Sequence, residues 1–485
     1  MAAFGTSGLR GLVEELDDGL VYGHVLAFLR YLEELREFAP GGAVLLGGDL
    51  RPSTPAILEA AWAAVCDAGG RPHFAGFLPT PALALAGFQR RVPSLMVTGS
   101  HIPFDRNGIK FNRPHGELGK ADEAGILDHL AGIPVPTRDE QGRLRHRPVL
   151  PAPDARYADD YLARYRSCLD VDALAGLRIG LYQHSGVARD LLEALLAGFG
   201  AEVVPLGRTE EFVPMDTEAL RPEDKELAVR WVREHGLDAL VSTDGDADRP
   251  MLADEHGSWW RGDLLGLVSA QILGADAVAT PISSNTALER SGAFAQVIRT
   301  RIGSPYVIAA MDELREQGYG RIVGYEANGG LLLGSEIPWE HGTLTALPTR
   351  DAVLPLLAAL REARRQDRPL STLLAGLPQR FTSSDRLQDF PTQLSRERLQ
   401  RYQGVEGCDH FGEDFGDLCG GHPLNLDYSD GVRAFFPSGD ILHLRPSGNA
   451  PELRCYTEAD SASRAEELLR GALARLSRWR SPGEA

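Results

Sequence analysis

Four short clusters hold the residue types that could do chemistry. The sharpest is Leu237-Asp-Ala-Leu-Val-Ser-Thr-Asp244-Gly-Asp246-Ala-Asp248-Arg249. Three carboxylates at i, i+2 and i+4 follow an apolar strand, and in a strand or tight loop that spacing aims all three the same way. Like charges so close repel, and a hard divalent cation is the natural compensation. A solvated acidic turn would carry the same three residues. A Ca²⁺ loop of EF-hand type competes, because Glu255 falls at its twelfth position. But the sixth position is Arg249, where that loop wants Gly, and the approach is a strand rather than a helix.

The second cluster is Met96-Val-Thr-Gly-Ser100-His101-Ile-Pro-Phe-Asp-Arg-Asn-Gly108-Ile-Lys110-Phe. An apolar run ends in a Gly-Ser turn, so Ser100 is expected at the exposed end of a strand, as a nucleophile or phosphate carrier. There is no GxSxG elbow, which disfavours acyl transfer. The third is Gly324-Tyr-Glu326-Ala-Asn328-Gly-Gly-Leu; a carboxylate and an amide on a Gly-rich turn suit pairs of sugar hydroxyls. The fourth is Leu444-Arg445-Pro-Ser447-Gly448-Asn449-Ala-Pro-Glu-Leu-Arg454, whose two Arg, Ser and backbone amides can cradle a phosphate. Near the start, Phe4-Gly-Thr-Ser-Gly-Leu-Arg10-Gly sets another Arg beside small hydroxyls.

The elements that must position these turns follow one grammar. Residues 43–70 read as a strand, a Gly/Asp/Pro/Ser turn and a helix opened by Pro55. Residues 177–206 read as strand, turn, a helix with Leu191, Leu192, Leu195 and Leu196 on one side, then strand. SPYVIAAMDELREQG followed by RIVGYEANGGLLLG repeats it. Alternating helical and strand periods with short turns predict parallel α/β units. The last piece differs: antiparallel strands around Ser438-Gly439-Asp440, then a closing helix capped by Asp460 or Ser461. Pro, Gly and charge gather at 133–154, 254–263 and 364–385, which divides the chain into four pieces.

The chain has 485 residues, 43% hydrophobic and 24% charged, which excludes disordered and fibrous classes. A formal charge of −18 disfavours a nucleic-acid partner but leaves room for a phosphorylated small substrate held by local Arg. Five scattered cysteines without a CxxC fit a reducing compartment. No charged and apolar leader opens the sequence and no apolar run reaches the ~18 residues of a membrane span, so a soluble cytoplasmic protein without a membrane partner is expected. Oligomeric state stays open.

Taken in order, FGTSGLRG, VTGSHIPFDRNGIKF, DGDADR, GYEANGG and RPSGNAPELR resemble the α-D-phosphohexomutase superfamily, most nearly its phosphomannomutase/phosphoglucomutase branch. The resemblance spans residues 4 to 456. It implies four domains around a central cleft: α/β domains at 1–150, 151–255 and 256–372, and a smaller α+β domain at 373–485. These would carry the phosphoserine, metal-binding, sugar-binding and phosphate-binding loops in turn. It implies that Ser100 carries a phosphoryl group and that Asp244, Asp246 and Asp248 bind Mg²⁺ with the seryl phosphate completing the shell. His101, Lys110, Arg249 and Arg10 would surround the transferred group. Glu326 and Asn328 would hold the sugar, and Arg445, Ser447, Gly448, Asn449 and Arg454 its non-reacting phosphate. The implied reaction exchanges hexose 1-phosphate and 6-phosphate through a hexose 1,6-bisphosphate, with mannose as the expected sugar and glucose, or both, as alternatives. A non-catalytic sugar-phosphate or cation-binding protein and a phosphatase are the competing readings. Asn328 stands where the family usually has Ser, Gly330 where many members carry His, Ile102 where Asn is usual, and Asn449-Ala450 where Thr-Glu is usual. The general acid or base is therefore open between Lys110 and His341, the latter also a candidate cap for a helix expected near Thr343.

Overall fold

A computed structural model describes residues 3–5, 8–134, 136–140, 142–447 and 451–480. Two compact bodies emerge: residues 1–279 with 303–374, and residues 280–302 with 375–485.

The first body holds three larger sheets and one two-stranded hairpin among the described residues. In the seven-stranded one, Ala43–Gly48 runs parallel to Arg71–Phe77 and Ser94–Val97, and Arg106–Arg113 returns antiparallel beside Ser94–Val97. Helices Asp18–Glu34 and Thr54–Asp67 bury Phe28, Leu29 and Leu58 against Val44, Leu46 and Phe111. Pro55 at the first turn of the second helix needs no amide partner there. In the second sheet Ala239–Thr243 and Glu202–Leu206 flank Arg178–Tyr182 in parallel, and Pro250–Ala253 returns antiparallel to Ala239–Thr243. Helix Arg189–Gly198 buries Leu192, Leu195 and Leu196, as its i, i+3, i+4 spacing requires. In the third, Ile322–Tyr325 runs parallel to the 277–279 part of Ala277–Pro281, followed by antiparallel Leu331–Leu333 and Leu347–Asp351.

The three sheets share one local device. A strand with a parallel neighbour ends, a short loop turns back, and the next strand pairs antiparallel with it. The loops are 98–105, 244–249 and 326–330. Each puts its polar residues at the carboxyl end of a buried strand, where α/β folds place ligands.

The five-stranded sheet of the second body is antiparallel throughout, in the order Phe381–Leu387, Leu453–Ala459, Ile441–Pro446, Val432–Phe435, Asn425–Asp427. Helices Gly407–Cys419 and Ala462–Leu476 pack Phe411, Phe415 and Leu468 on it. Ser461 is the cap, accepting from the Arg464 amide at 3.2 Å. Residues 280–302 join this body through buried polar contacts. Asn285 donates to the Arg380 carbonyl at 2.8 Å, the Thr286 amide donates to Glu458, and Arg380 Nε donates to Glu458 Oε1 at 2.7 Å. No helix begins near Thr343. Gly342–Leu344 is a strand paired with Ile337–Trp339, and the next helix is Val353–Gln366. β-branched Thr343 suits that short hairpin. Among the described residues no helix is long and apolar enough to cross a membrane.

Candidate active site

The Ser100 turn meets the Asp loop directly. Ser100 Oγ donates to Asp244 Oδ2 at 2.6 Å and lies 3.4 Å from His101 Nδ1. Ser100 is 1% exposed, not at an exposed strand end, because the Asp loop covers it. Its φ of 52° is left-handed, a costly conformation for a residue with a Cβ. One side chain holds it there. Arg51 Nη1 donates to the carbonyls of Pro103 (2.7 Å) and Arg106 (2.8 Å), and Nη2 to those of Ser100 (2.9 Å) and Ile102 (2.6 Å). Its Nε donates to Asp49, and its guanidinium lies over Phe212. A Cβ on Gly99 would lie 2.5 Å from Arg51 Cζ, so glycine is required where the turn crosses this clasp.

The Asp loop is a hairpin connection closed by the Asp244 amide donating to the Arg249 carbonyl at 3.1 Å. Lys110 Nζ, 8% exposed as a residue, donates at 2.6 Å to Oδ2 of both Asp246 and Asp248. Thr80 also donates to Asp246 Oδ2, at 2.5 Å. Arg350 donates to Asp248 Oδ2 from Nε (3.0 Å) and Nη2 (2.8 Å), and from Nη1 to Glu326 Oε2 at 2.7 Å. Arg249 Nε stands 3.7 Å from Asp248 and 3.9 Å from Asp244, with Nε and Nη1 buried and without a hydrogen-bond partner among the described residues.

The charges act on one another. Burial, then Asp246 and Asp248, push the Asp244 carboxyl well above the carboxylate range. Burial opposes ionisation of Asp248 too, but Arg350, Lys110 and Arg249 outweigh it and hold that carboxyl far below its usual value. Burial would lower Lys110, yet Asp246 and Asp248 raise it overall, so it stays an ammonium. Arg10 is pushed down to about 10 by burial and by Arg249 and Arg350, which marks a convergence of guanidiniums. Burial and the nearby Arg249 and Arg10 keep His101 neutral far below its ordinary value.

A dication fits this donor set. One carboxylate oxygen from each of Asp244, Asp246 and Asp248 lies within 4.8 Å of the others. Among the described residues Asp246 Oδ1 and Asp248 Oδ1 are buried without a hydrogen-bond partner, which is costly unless a cation takes them. All donors are hard oxygens.

Glu326 and Asn328 are both buried on the third loop, where the Gly330 amide donates to Asn328 Oδ1 at 2.9 Å. In the second body Arg445 Nε donates to Asp430 Oδ2 at 2.8 Å. The Ser447 amide donates to the Glu452 carbonyl at 2.8 Å, and Arg454 lies by the Glu452 side chain at 3.4 Å. Gly448 and Asn449 lie outside the described residues. His341 sits on the exposed hairpin, paired with Asp170 at 2.8 Å. Arg51, Thr80 and Arg350 join the site with no motif in the sequence to announce them. Thr349, Arg350 and Asp351 make up three of the five residues of the strand Leu347–Asp351, so no apolar run marks Arg350 in the sequence.

Comparison with known proteins gives the family. Models of phosphoglucomutase/phosphomannomutase α/β/α domains I, II and III match residues 1–134, 155–257 and 262–381, and the C-terminal domain model matches 397–473. A phosphomannomutase of Sinorhizobium fredii (strain NBRC 101917 / NGR234) is 46% identical over 477 residues, covering 98% of each chain. One from Salmonella muenchen is 43% identical over 473 residues, covering 98% of this chain and 95% of that one. The crystal structure of a phosphoglucomutase/phosphomannomutase family protein from Burkholderia thailandensis superposes with a TM-score of 0.73, covering 99% and 98% of the two chains. At 19% identity it speaks to the fold alone. This chain belongs to the phosphoglucomutase/phosphomannomutase family of the α-D-phosphohexomutase superfamily.

Proposed function

We propose that this protein is a phosphomannomutase, reversibly converting mannose 1-phosphate to mannose 6-phosphate through a phosphoserine at Ser100 and a hexose 1,6-bisphosphate. The observation that carries the reading is Ser100 Oγ at 2.6 Å from Asp244, beside three clustered carboxylates. The names of the relatives at 43–46% identity support the choice of sugar.

In this reading a free sugar hydroxyl attacks the phosphorus on Ser100 and the P–Oγ bond breaks. The bisphosphate turns over, and its other phosphoryl group returns to Oγ. The chain's task is positioning and charge. Arg51 fixes the turn that carries Oγ. Lys110, Arg249 and Arg10 supply positive charge for the phosphoryl oxygens, and the neutral His101 imidazole stands beside Oγ as a hydrogen-bond partner. Asp244, Asp246 and Asp248 would hold Mg²⁺, with a phosphoryl oxygen of Ser100 as a further ligand; that ion supplies Lewis-acid stabilisation of the transferring group. Glu326 and Asn328 would orient the sugar hydroxyls. Arg445, Ser447, Gly448, Asn449 and Arg454 would hold the non-reacting phosphate. Four domains, bounded near 150, 255 and 372, would each supply one loop; the four family-model spans support this division. Five free thiols support a reducing, cytoplasmic setting.

The test is a coupled assay with mannose 1-phosphate and glucose 1-phosphate, Mg²⁺ and catalytic bisphosphate, with intact mass of the purified protein. Isomer exchange on the mannose substrate and a phosphoryl mass increment are expected. Release of inorganic phosphate without exchange would establish a phosphatase; binding without turnover would establish a non-catalytic protein. Faster exchange on glucose 1-phosphate would overturn the sugar assignment alone.

A further inference from the structure

Arg350 lies on a strand whose neighbours in sequence leave it no slack. The side chains of successive strand residues point to opposite faces. On one face Thr349 donates to Glu117 Oε1 at 2.6 Å, and Asp351 accepts from Tyr161 at 2.6 Å and from Tyr165. On the other, Arg350 is 4% exposed and spends all three nitrogens on two carboxylates of two different loops. The register Leu331↔Asp351 sets its stem beside Gly330. A Cβ on Gly330 would stand 2.6 Å from Arg350 Cδ, 2.8 Å from Cγ and 2.8 Å from the Asp248 carbonyl oxygen, so the third loop is shaped around this one side chain.

We infer that Arg350 is a positioning residue that bridges the cation-binding carboxylate Asp248 and the sugar-loop carboxylate Glu326, tempering the negative charge offered to the dication while it orients Glu326 for the sugar. The inference rests on the mutase reading of the two loops. Arg350 occupies Asp248 Oδ2 and leaves Oδ1 as the oxygen for the dication. It occupies Glu326 Oε2, and among the described residues no hydrogen bond reaches Oε1, which is left for the sugar. Its charge also works against the dication while it compensates Glu326. Removing it should therefore move cation affinity and sugar affinity in opposite directions, which a merely structural side chain would not do. A planar fork can hold both carboxylates at once; a lysine ammonium keeps the charge without the fork.

The experiment titrates Mn²⁺ into the purified full-length protein and measures KM for mannose 1-phosphate in the same preparations. Arg350→Met is expected to bind Mn²⁺ about fivefold more tightly, from the lost cation repulsion, while KM rises by about tenfold or more from the freed Glu326. Arg350→Lys is expected to keep Mn²⁺ affinity within about twofold, because its charge stays, and still to raise KM; this variant carries the test if Arg350→Met does not fold. In Glu326→Gln the further Arg350→Lys change should leave KM where Glu326→Gln alone puts it. Unchanged or weaker Mn²⁺ binding in Arg350→Met, an unchanged KM, or additive effects in the double variant would each overturn the inference. A wild-type protein that turns over no hexose phosphate sinks the mutase reading instead, and the Mn²⁺ affinities still decide the cation half.

Discussion

Replacing Arg51 by Lys tests whether the reactive turn is held from behind. Arg51 donates to four backbone carbonyls and to Asp49, and all of these contacts are buried or part-buried. A lysine ammonium puts its three N–H donors at one point and cannot span the fork; Asp49 keeps Thr54 and Thr98 and the Pro103 carbonyl keeps the Arg106 amide, so the loss falls on at least two of the Ser100, Ile102 and Arg106 carbonyls. Each buried acceptor left unpaired costs about 1–3 kcal/mol, which puts the substitution at about 2–6 kcal/mol. That approaches the whole stability of a typical domain, ~5–15 kcal/mol. Local release is cheaper than global unfolding: residues 99–106 lift toward water and carry Ser100 out of its left-handed conformation. A displacement of ~1 Å at a reacting atom costs on the order of 100-fold in rate. Arg51→Lys should therefore lower kcat about 100-fold with KM nearly unchanged, and peptides covering 99–106 should exchange deuterium faster. The check is steady-state kinetics with hydrogen–deuterium exchange on one preparation. Wild-type kcat and an unchanged exchange pattern in that loop would refute the clasp.

Ser100→Ala should abolish isomer exchange and the phosphoryl mass increment together, since the carrier oxygen is gone; intact mass and the coupled assay check both. Arg445→Ala should raise KM about 10–100-fold, the range of one charged hydrogen bond of ~1.5–3 kcal/mol, while kcat changes little. A collapsed kcat at constant KM would contradict the cradle role. Burial pushes the His443 imidazole down to about 4, although the Asp430 carbonyl bonded to its Nε2 opposes this. Its folded value lies below the unfolded one of ~6.5, so this stabilisation is complete above pH 6.5 and drains away as pH falls toward about 4, with about 2 kcal/mol lost by pH 5. Urea midpoints at pH 7.5 and 5.0 should separate more in wild type than in His443→Gln, and equal separations would show that this group does not carry the acid sensitivity.

Residues that act within one turn could be read in advance. Asp244, Asp246 and Asp248 share a loop, Ser100 and Glu326 each follow a short apolar run, and Arg445 ends an alternating one. What escaped notice depends on pairings across the chain. Arg51 lies 49 positions from the Ser100 carbonyl, Arg350 lies 102 from Asp248, and Thr80 lies 166 from Asp246. Nothing local distinguishes such an Arg or Thr from a surface residue. The burial of Ser100 is invisible in its own segment for the same reason, because the loop that covers it comes from another sheet. The strand at Gly342–Leu344 was read as helix because it is three residues long and pairs only with its own hairpin.

The chain leaves the first body at residue 280 and returns to it at 303. The partner that satisfies Thr286, the Glu458 carboxylate, lies 172 residues downstream. At a synthesis rate of ~5–20 residues per second, that stretch takes about 10–30 s to leave the ribosome. Although Thr280 with Ser284, and Arg299 with Ser284, Asn285 and Glu289, already pair within the 280–302 excursion, Thr286 has no native acceptor throughout that interval. A truncation anywhere before Glu458 would leave it permanently unmatched.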